Sequence, residues 1–140
     1  MREKDLLRDT VVPTALEKLF KKVTTIRDSL TVDGFVPGRL GQSYNYFGFT
    51  AEHKCVSPWF GYSLRDWAIH ATPVFLQLRK KWIKTGEEQV LNIARESGFT
   101  YDERAEWLLP FQASEIETWD LLLREVLTKL AVASGGAHME

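Results

Sequence analysis

Three polar residues near the middle of the chain have the types and spacing of a metal-dependent nuclease centre. Glu52 and Lys54 form an E-x-K triplet, and Asp33 lies 19 residues before Glu52. In such centres carboxylates hold Mg²⁺ while a lysine steadies the attacking water. The triplet falls where a predicted strand ends beside Pro58, however, and Asp33-Gly34 is typical of a turn. A small Mg²⁺-dependent nuclease using Asp33, Glu52 and Lys54 is therefore the alternative function.

Two other constellations offer different chemistry. His53-x-Cys55 together with His70 has ligand types that zinc accepts, but the CxxC-type spacing of structural zinc sites is absent. Ser63, Asp66 and His70 have the residue types of a nucleophilic triad. The surrounding GYSLR is not a G-x-S-x-G elbow, and neither a P-loop nor a G-x-G-x-x-G motif occurs. We expect no metal, no cofactor and no catalytic role for these groups.

Eight aromatic residues lie between Tyr44 and Trp67. Because side chains alternate along a strand, one set should form a core and the other should be more exposed. The predicted core set is Phe47, Phe49, Phe60 and Tyr62. The predicted exposed set is Tyr44, Tyr46 and Trp59. Aromatic residues flanked by Lys and Arg are typical of surfaces that stack the bases of single-stranded nucleic acid, although aromatic residues on strands more often pack in a core. The predicted binding residues are Tyr44, Tyr46, Trp59, Trp67, Lys54, Arg65, Arg79, Lys80 and Lys81.

The hydrophobic pattern predicts the elements that position these residues. Helical periodicity indicates an amphipathic helix over 16–30 and a long helix over 116–130. We expect Leu123, Val126 and Leu127 of the long helix to share one core with Phe20. Strands are predicted over 43–50, 59–64, 73–79 and 106–112, while 65–72 fits either a short helix or a connection.

Local signals place the ends of these elements. Thr85 and Ser114 are each followed three residues later by glutamate, which predicts two capping boxes. The helix that begins after Thr85 is a third predicted helix, and Gly98 ends it. Pro110 predicts that the last strand lies at a sheet edge. The element order indicates an α+β fold with a small, mostly antiparallel sheet of about four strands packed against three helices. We expect a single domain over residues 1–133 and a disordered tail over 134–140.

Composition and charge restrict the setting. At 140 residues and 44% hydrophobic content the chain can form one core, and no apolar run approaches the ~20 residues of a membrane span. A lone cysteine and a charged start predict a cytoplasmic location. Residues 1–84 carry 14 Lys and Arg against 8 Asp and Glu, whereas residues 85–140 carry 4 against 11. This division fits contacts within one fold, self-association, or a basic surface for nucleic acid.

The aromatic segments resemble a known kind of module. They are YFGF (46–49), PWFGYS (58–63), TPVFLQL (72–78) and WLLPF (107–111). With Trp67, they resemble the C-terminal accessory region of bacterial and phage proteins of the PD-(D/E)XK nuclease superfamily, over roughly residues 44–130. The resemblance implies a recognition module in a bacterial or phage nucleic-acid or defence setting. It argues against nuclease activity, since Glu52 and Lys54 fall in the hairpin between the aromatic strands.

The sequence as a whole thus predicts a non-catalytic binding or interaction module without a cofactor. The expected partner is another protein or a second copy of the chain, with nucleic acid as a further class and no membrane partner.

Overall fold

The computed structural model describes residues 11–70 and 72–135. Within them lie four α-helices: α1 (Val11–Asp28), α2 (Leu64–His70), α3 (Glu87–Glu96) and α4 (Trp119–Ala133). The strands are β1 (Val36–Pro37), β2 (Gly41–Ser43), β3 (Tyr46–Glu52), β4 (Trp59–Ser63), β5 (Val74–Leu78), β6 (Thr100–Asp102) and β7 (Glu106–Phe111). Two 3₁₀ helices cover Lys80–Trp82 and Ala113–Thr118. None of the helices in this part of the chain is long and apolar enough to cross a membrane.

The strands form one antiparallel sheet in the order β1-β3-β4-β5-β7-β6, and β2 follows β1 along the outer edge of β3. The α+β class is confirmed, but the sheet has seven strands instead of four. The three strands that the sequence did not predict are β1, β2 and β6. Each has only two or three residues, which is too short for hydrophobic alternation to be recognised.

One face of the sheet packs against the helices and forms the core. Phe20 of α1 stacks on Phe47 with ring centroids 4.4 Å apart, and Phe111 of β7 lies edge-on to Trp119 of α4. Leu123, Val126 and Leu127 are buried in this same cluster, with Phe20 packed against it, as predicted.

The predicted division of the aromatic residues is also confirmed. Phe47, Phe49, Phe60 and Tyr62 are all buried in the core. Tyr44 and Tyr46 are 68% and 41% exposed, and Trp59 is half-buried. Cross-strand pairing explains the division, because Phe47 pairs with Tyr62 and Phe49 with Phe60 on one face.

The signals for helix ends had mixed outcomes. Gly98 ends α3 as predicted: it has a φ of 103°, and the N–H of Phe99 donates to the Ala94 carbonyl at 3.0 Å. Both predicted capping boxes were wrong. The N-cap of α3 is Gly86, without a side-chain cap, because the Thr85 hydroxyl donates to the Ser134 carbonyl at 2.8 Å. Residues 113–118 form a 3₁₀ helix, so α4 begins only at Trp119.

The position of the last predicted strand and the start of the C-terminal tail both differ from their predictions. β7, which contains Pro110, lies between β5 and β6 and is not an edge strand. β6 begins at Thr100, opposite Leu108, however, so Pro110 has no partner in β6, and proline there removes no donor needed by that strand. Ser134, the first residue of the predicted tail, is buried and its hydroxyl donates to the Ala131 carbonyl at 2.7 Å. Residues 136–140 of that tail lie outside the described residues.

Candidate functional site

The face of the sheet opposite the core carries a groove of about 430 Å³. We call it the open-face groove. Its walls come from β3, β4, β5, α2 and the connection between β6 and β7. The residues that line it are Asn45, Tyr46, Trp59, Ser63, Arg65, Asp66, Gln77, Arg79, Trp82 and Arg104.

Two glycines allow Trp59 to lie close against the sheet. Gly48 and Gly61 pair across β3 and β4. A β-carbon built on Gly48 would lie 2.5 Å from Cζ2 of Trp59, and one on Gly61 would lie 2.8 Å from its Cη2. Any larger residue would therefore displace the indole. Tyr46 meets the indole edge-on, with ring centroids 6.3 Å apart. One side of the indole thus rests on the backbone, and the ring forms part of the groove wall.

Arg79 is held in place from three sides. Its Nη1 donates to the Glu106 carboxylate at 3.3 Å, and its Nη2 donates to the Arg104 carbonyl at 3.2 Å. Its guanidinium carbon lies 5.8 Å from the centroid of the Trp82 ring, within the range of a cation–π contact. These contacts fix the position of the Arg79 charge before any ligand arrives.

Glu106 holds Arg79 from an unusual backbone conformation. Its φ is 68°, in the left-handed region that disfavours side chains with a β-carbon. Its carboxylate also accepts the N–H of Lys80 at 2.8 Å. Glu106 pairs with Asp102 at the start of β7, and glycine would adopt its positive φ at much lower cost. A strained residue that anchors a charged side chain is consistent with a functional surface.

Asp66 joins α2 to the opposite wall of the groove. One carboxylate oxygen accepts the Ser63 hydroxyl at 2.7 Å, and the other accepts Arg104. Ser63 in turn accepts the N–H of Asp66 at 3.3 Å, as a residue at the start of a helix does. Ser63 and Asp66 are thus engaged in a helix cap and an ion pair, and do not form a triad with His70.

His70 pairs with Asp102 instead. Nε2 of His70 lies 3.1 Å from Oδ2 of Asp102. The other carboxylate oxygen of Asp102 accepts the N–H groups of Arg104 and Ala105 at 2.8 and 3.1 Å. The N–H donors of Ala105 and Arg104, followed by His70, lower the pKa of Asp102. The charged carboxylate therefore shapes the connection that carries Arg104 into the groove.

Arg65 differs from the other two arginines of the groove. It is exposed at the start of α2, and it makes no hydrogen bond or ion pair with any other residue of 11–70 and 72–135. The groove lining holds three guanidinium groups against the single carboxylate of Asp66. Arg65 is thus the groove cation whose charge is most available to a ligand.

Four of the nine predicted binding residues meet in the groove: Tyr46, Trp59, Arg65 and Arg79. The others lie elsewhere. Trp67 packs against the core beside Tyr62, with ring centroids 6.1 Å apart. The remaining four, all exposed, are Tyr44 in the β2–β3 turn, Lys54 in the β3–β4 loop, and Lys80 and Lys81 in the first 3₁₀ helix.

Sequence reasoning did not assign a binding role to the other lining residues. Gln77 had a usable signal, since it is the single polar residue of the otherwise apolar β5. Trp82 follows Lys80 and Lys81 directly, so the criterion of an aromatic residue flanked by Lys and Arg could have predicted it as a binding residue. Arg104 gave no signal, because only the fold of the β6–β7 connection brings it to α2.

The residues of the alternative nuclease centre occupy the end of β3 and the adjoining loops. Glu52 is exposed and its carboxylate lies against Gly38. No ion pair or hydrogen bond joins Asp33, Glu52 and Lys54 within the described ranges. Among the same residues no group of three His, Cys, Asp or Glu side chains is placed to hold a metal ion. The nuclease alternative stays a prediction.

His53 lies between these residues and is buried. Its Nδ1 accepts the N–H of Cys55 at 3.0 Å, and its ring packs on Phe35 with centroids 4.6 Å apart. Burial lowers the pKa of His53, Lys54 lowers it further, and Asp33 acts in the opposite direction. These contacts give His53 a structural role as a neutral side chain.

Known proteins give no guide to the ligand of the open-face groove. Comparison with protein-family models, with curated proteins and with solved structures finds no match to this chain. The function must therefore be argued from the residues of the groove themselves.

Proposed function

We propose that this chain is a non-catalytic binding module whose ligand occupies the open-face groove. The observation that carries the proposal is the position of Trp59, laid against Gly48 and Gly61 with guanidinium groups around it. An indole held in this way loses little freedom when a ligand stacks on it, so binding costs less conformational entropy. Such an anchored aromatic side chain is typical of the residues that dominate binding energy.

The chemical groups of the groove favour binding over catalysis. The lining offers aromatic rings, guanidinium groups and two amides, but no histidine, cysteine or lysine. Its two hydroxyl groups belong to Tyr46 and Ser63, and that of Ser63 donates to Asp66 and caps α2. A nucleophile requires a neighbouring base that accepts its proton and is itself oriented by a third group. Asp66 accepts the Ser63 hydroxyl, but its other oxygen is in an ion pair with Arg104, and the lining has no histidine to act as the base.

The wider setting follows from the sequence. The resemblance of residues 44–130 to accessory regions of PD-(D/E)XK proteins supports a recognition role in a bacterial or phage nucleic-acid or defence context. Cys55, which is free and partly exposed, fits a reducing cytoplasm. The candidate partners of the groove are a protein, a second copy of the chain and a nucleic acid.

The proposal is tested by following the five tryptophan indole N–H signals by NMR while adding three probes. The probes are adenosine monophosphate, a single-stranded octadeoxyadenylate and an acidic peptide that contains tyrosine. We expect at least one probe to saturate and to shift the Trp59 signal. The Trp119 signal should stay fixed, because this buried indole donates to the Gln112 carbonyl at 2.8 Å.

Trp107 provides a matched control variant. It is also half-buried and also lies near an arginine, with the Arg95 guanidinium 5.1 Å from its ring centroid, but it faces the side of the sheet opposite the groove. Trp59→Ala should abolish saturable binding, whereas Trp107→Ala should preserve it. The proposal is wrong if no probe binds at millimolar concentration, or if both variants weaken binding equally.

A further inference from the structure

The structure points to a nucleotide unit as the ligand of the open-face groove, and we infer that its base stacks on Trp59 while its phosphate meets Arg65. This inference rests on the proposed function and specifies its ligand. A nucleotide unit can come from a free nucleotide or from single-stranded nucleic acid, and the experiment below distinguishes these sources.

The aromatic groups of the groove suit a flat ring. Trp59 is fixed against the backbone by Gly48 and Gly61, so its plane is set before the ligand arrives. Tyr46 stands nearly perpendicular to it, at an interplanar angle of 77°, and so borders the indole on one side. A base stacked on Trp59 would gain an aromatic contact that is tolerant of its identity, since every base has a π-face.

Two amides provide the polar groups that a base edge requires. Asn45 lines the groove, and its carbonyl oxygen accepts the Ser43 hydroxyl at 2.5 Å, which leaves its NH₂ group as a donor. The NH₂ group of Gln77 donates to the Ala105 carbonyl at 2.8 Å, which leaves its carbonyl oxygen as an acceptor. The edges of an unpaired base carry both donors and acceptors, so a donor and an acceptor of the groove can each find a partner there.

The charges of the groove favour a phosphate at Arg65. Arg79 and Arg104 already have carboxylate partners, Glu106 and Asp66. Among the described residues Arg65 has no recorded partner, so binding an anion there breaks no existing ion pair.

The same pairing argues against an acidic peptide. One peptide carboxylate could pair with Arg65 as a phosphate does, but further carboxylates would have to compete with Glu106 and Asp66 for Arg79 and Arg104. Duplex nucleic acid is also disfavoured, because its bases are stacked and paired and cannot lie flat on Trp59 without being extruded. A nucleotide unit uses the free ring face, both amides and the one available cation together.

The test measures the affinity of a fluorescein-labelled single-stranded octadeoxyadenylate by anisotropy, at several salt concentrations. Trp59→Ala should weaken binding by about ten-fold or more, as loss of a stacking ring does. Arg65→Gln should weaken it by about five-fold, as loss of an exposed charge contact does, and should reduce the salt slope by about 0.7. Lys21→Gln is the control: it also removes one exposed charge, but Lys21 lies on α1, which packs against the other face of the sheet, so the affinity should stay unchanged. The exposed Arg65 variant keeps the test decisive if Trp59→Ala fails to fold.

Competition separates the possible outcomes. If adenosine monophosphate displaces the labelled strand as effectively as unlabelled strand does, the site is assigned to free nucleotides. If the labelled strand stays bound, the site is assigned to single-stranded nucleic acid. Both outcomes support the inference. An equal loss of affinity in the Lys21 and Arg65 variants would overturn it, because the strand would then be held only by general charge. If the acidic peptide shifts Trp59 and neither nucleotide probe does, the inference fails while the proposed function stands. If no probe binds, both fail.

Discussion

Replacing Gly61 with alanine should displace Trp59 and destabilise the sheet by about 3 kcal/mol. A β-carbon at this position would lie 2.3 Å from the Phe47 carbonyl oxygen, 2.5 Å from Cα of Gly48 and 2.8 Å from Cη2 of Trp59. Overpacking of this kind usually costs about 1–3 kcal/mol. The upper end applies because two of the three atoms belong to the backbone, which cannot move away without disturbing the pairing of β3 with β4.

The assay is urea unfolding followed by far-UV circular dichroism, with thermal unfolding as a second measurement. The melting temperature should fall by roughly 9 °C, at about 3 °C for each kcal/mol in a chain of this size. Gly41→Ala is the control, because its β-carbon would lie 3.6 Å from Cε1 of Tyr46, an ordinary contact. If Gly61→Ala stays within about 0.5 kcal/mol of the wild type, the range of a typical surface substitution, the close seat of Trp59 is refuted.

Three further outcomes are expected. Burial lowers the pKa of His53, so on acidification the unfolded chain binds a proton at this residue before the folded chain does. The contribution of neutral His53 to stability is therefore complete above about pH 6.5 and is lost as the pH falls through the folded pKa. The urea midpoint of His53→Asn should fall less on acidification than that of the wild type, and equal falls would contradict this. Glu106→Ala should be less stable than Glu106→Gly by about 1 kcal/mol, because alanine keeps the cost of a positive φ; the reverse order in thermal unfolding would show that Glu106 is unstrained. Leu127→Ala should cost about 2–5 kcal/mol in urea unfolding, since Leu127 is fully buried, and a loss below about 0.5 kcal/mol would mean that α4 does not pack as described.

Alternation along the strands was the sequence signal with the greatest predictive value. It separated Phe47 and Phe60, which are buried, from Tyr46 and Trp59, which line the groove. The signal works because a strand with one face in the core constrains every second residue. The same reasoning cannot predict that Gly48 and Gly61 are opposite each other, since that depends on the register of two strands.

Capping signals were less informative, because tertiary contacts compete for the same side chains. Thr85 has the spacing of a capping box but donates to Ser134, which lies 49 residues away. Ser63 and Asp66 have the same spacing and do cap α2, yet their residue types first suggested a catalytic triad. Local spacing alone therefore does not distinguish a helix cap from a functional hydroxyl.

The ion pairs that join α2 to the β6–β7 connection have a consequence for local unfolding. Asp66 and Arg104 are 38 residues apart, and His70 and Asp102 are 32 apart. Contacts between such distant segments form only after the intervening chain has closed, and β6 is an edge strand of three residues. Loss of β6 from the sheet would free Arg104 while the aromatic core stays packed. The groove should therefore open in a local unfolding step, and backbone amides of β6 should exchange with solvent much faster than those of β4.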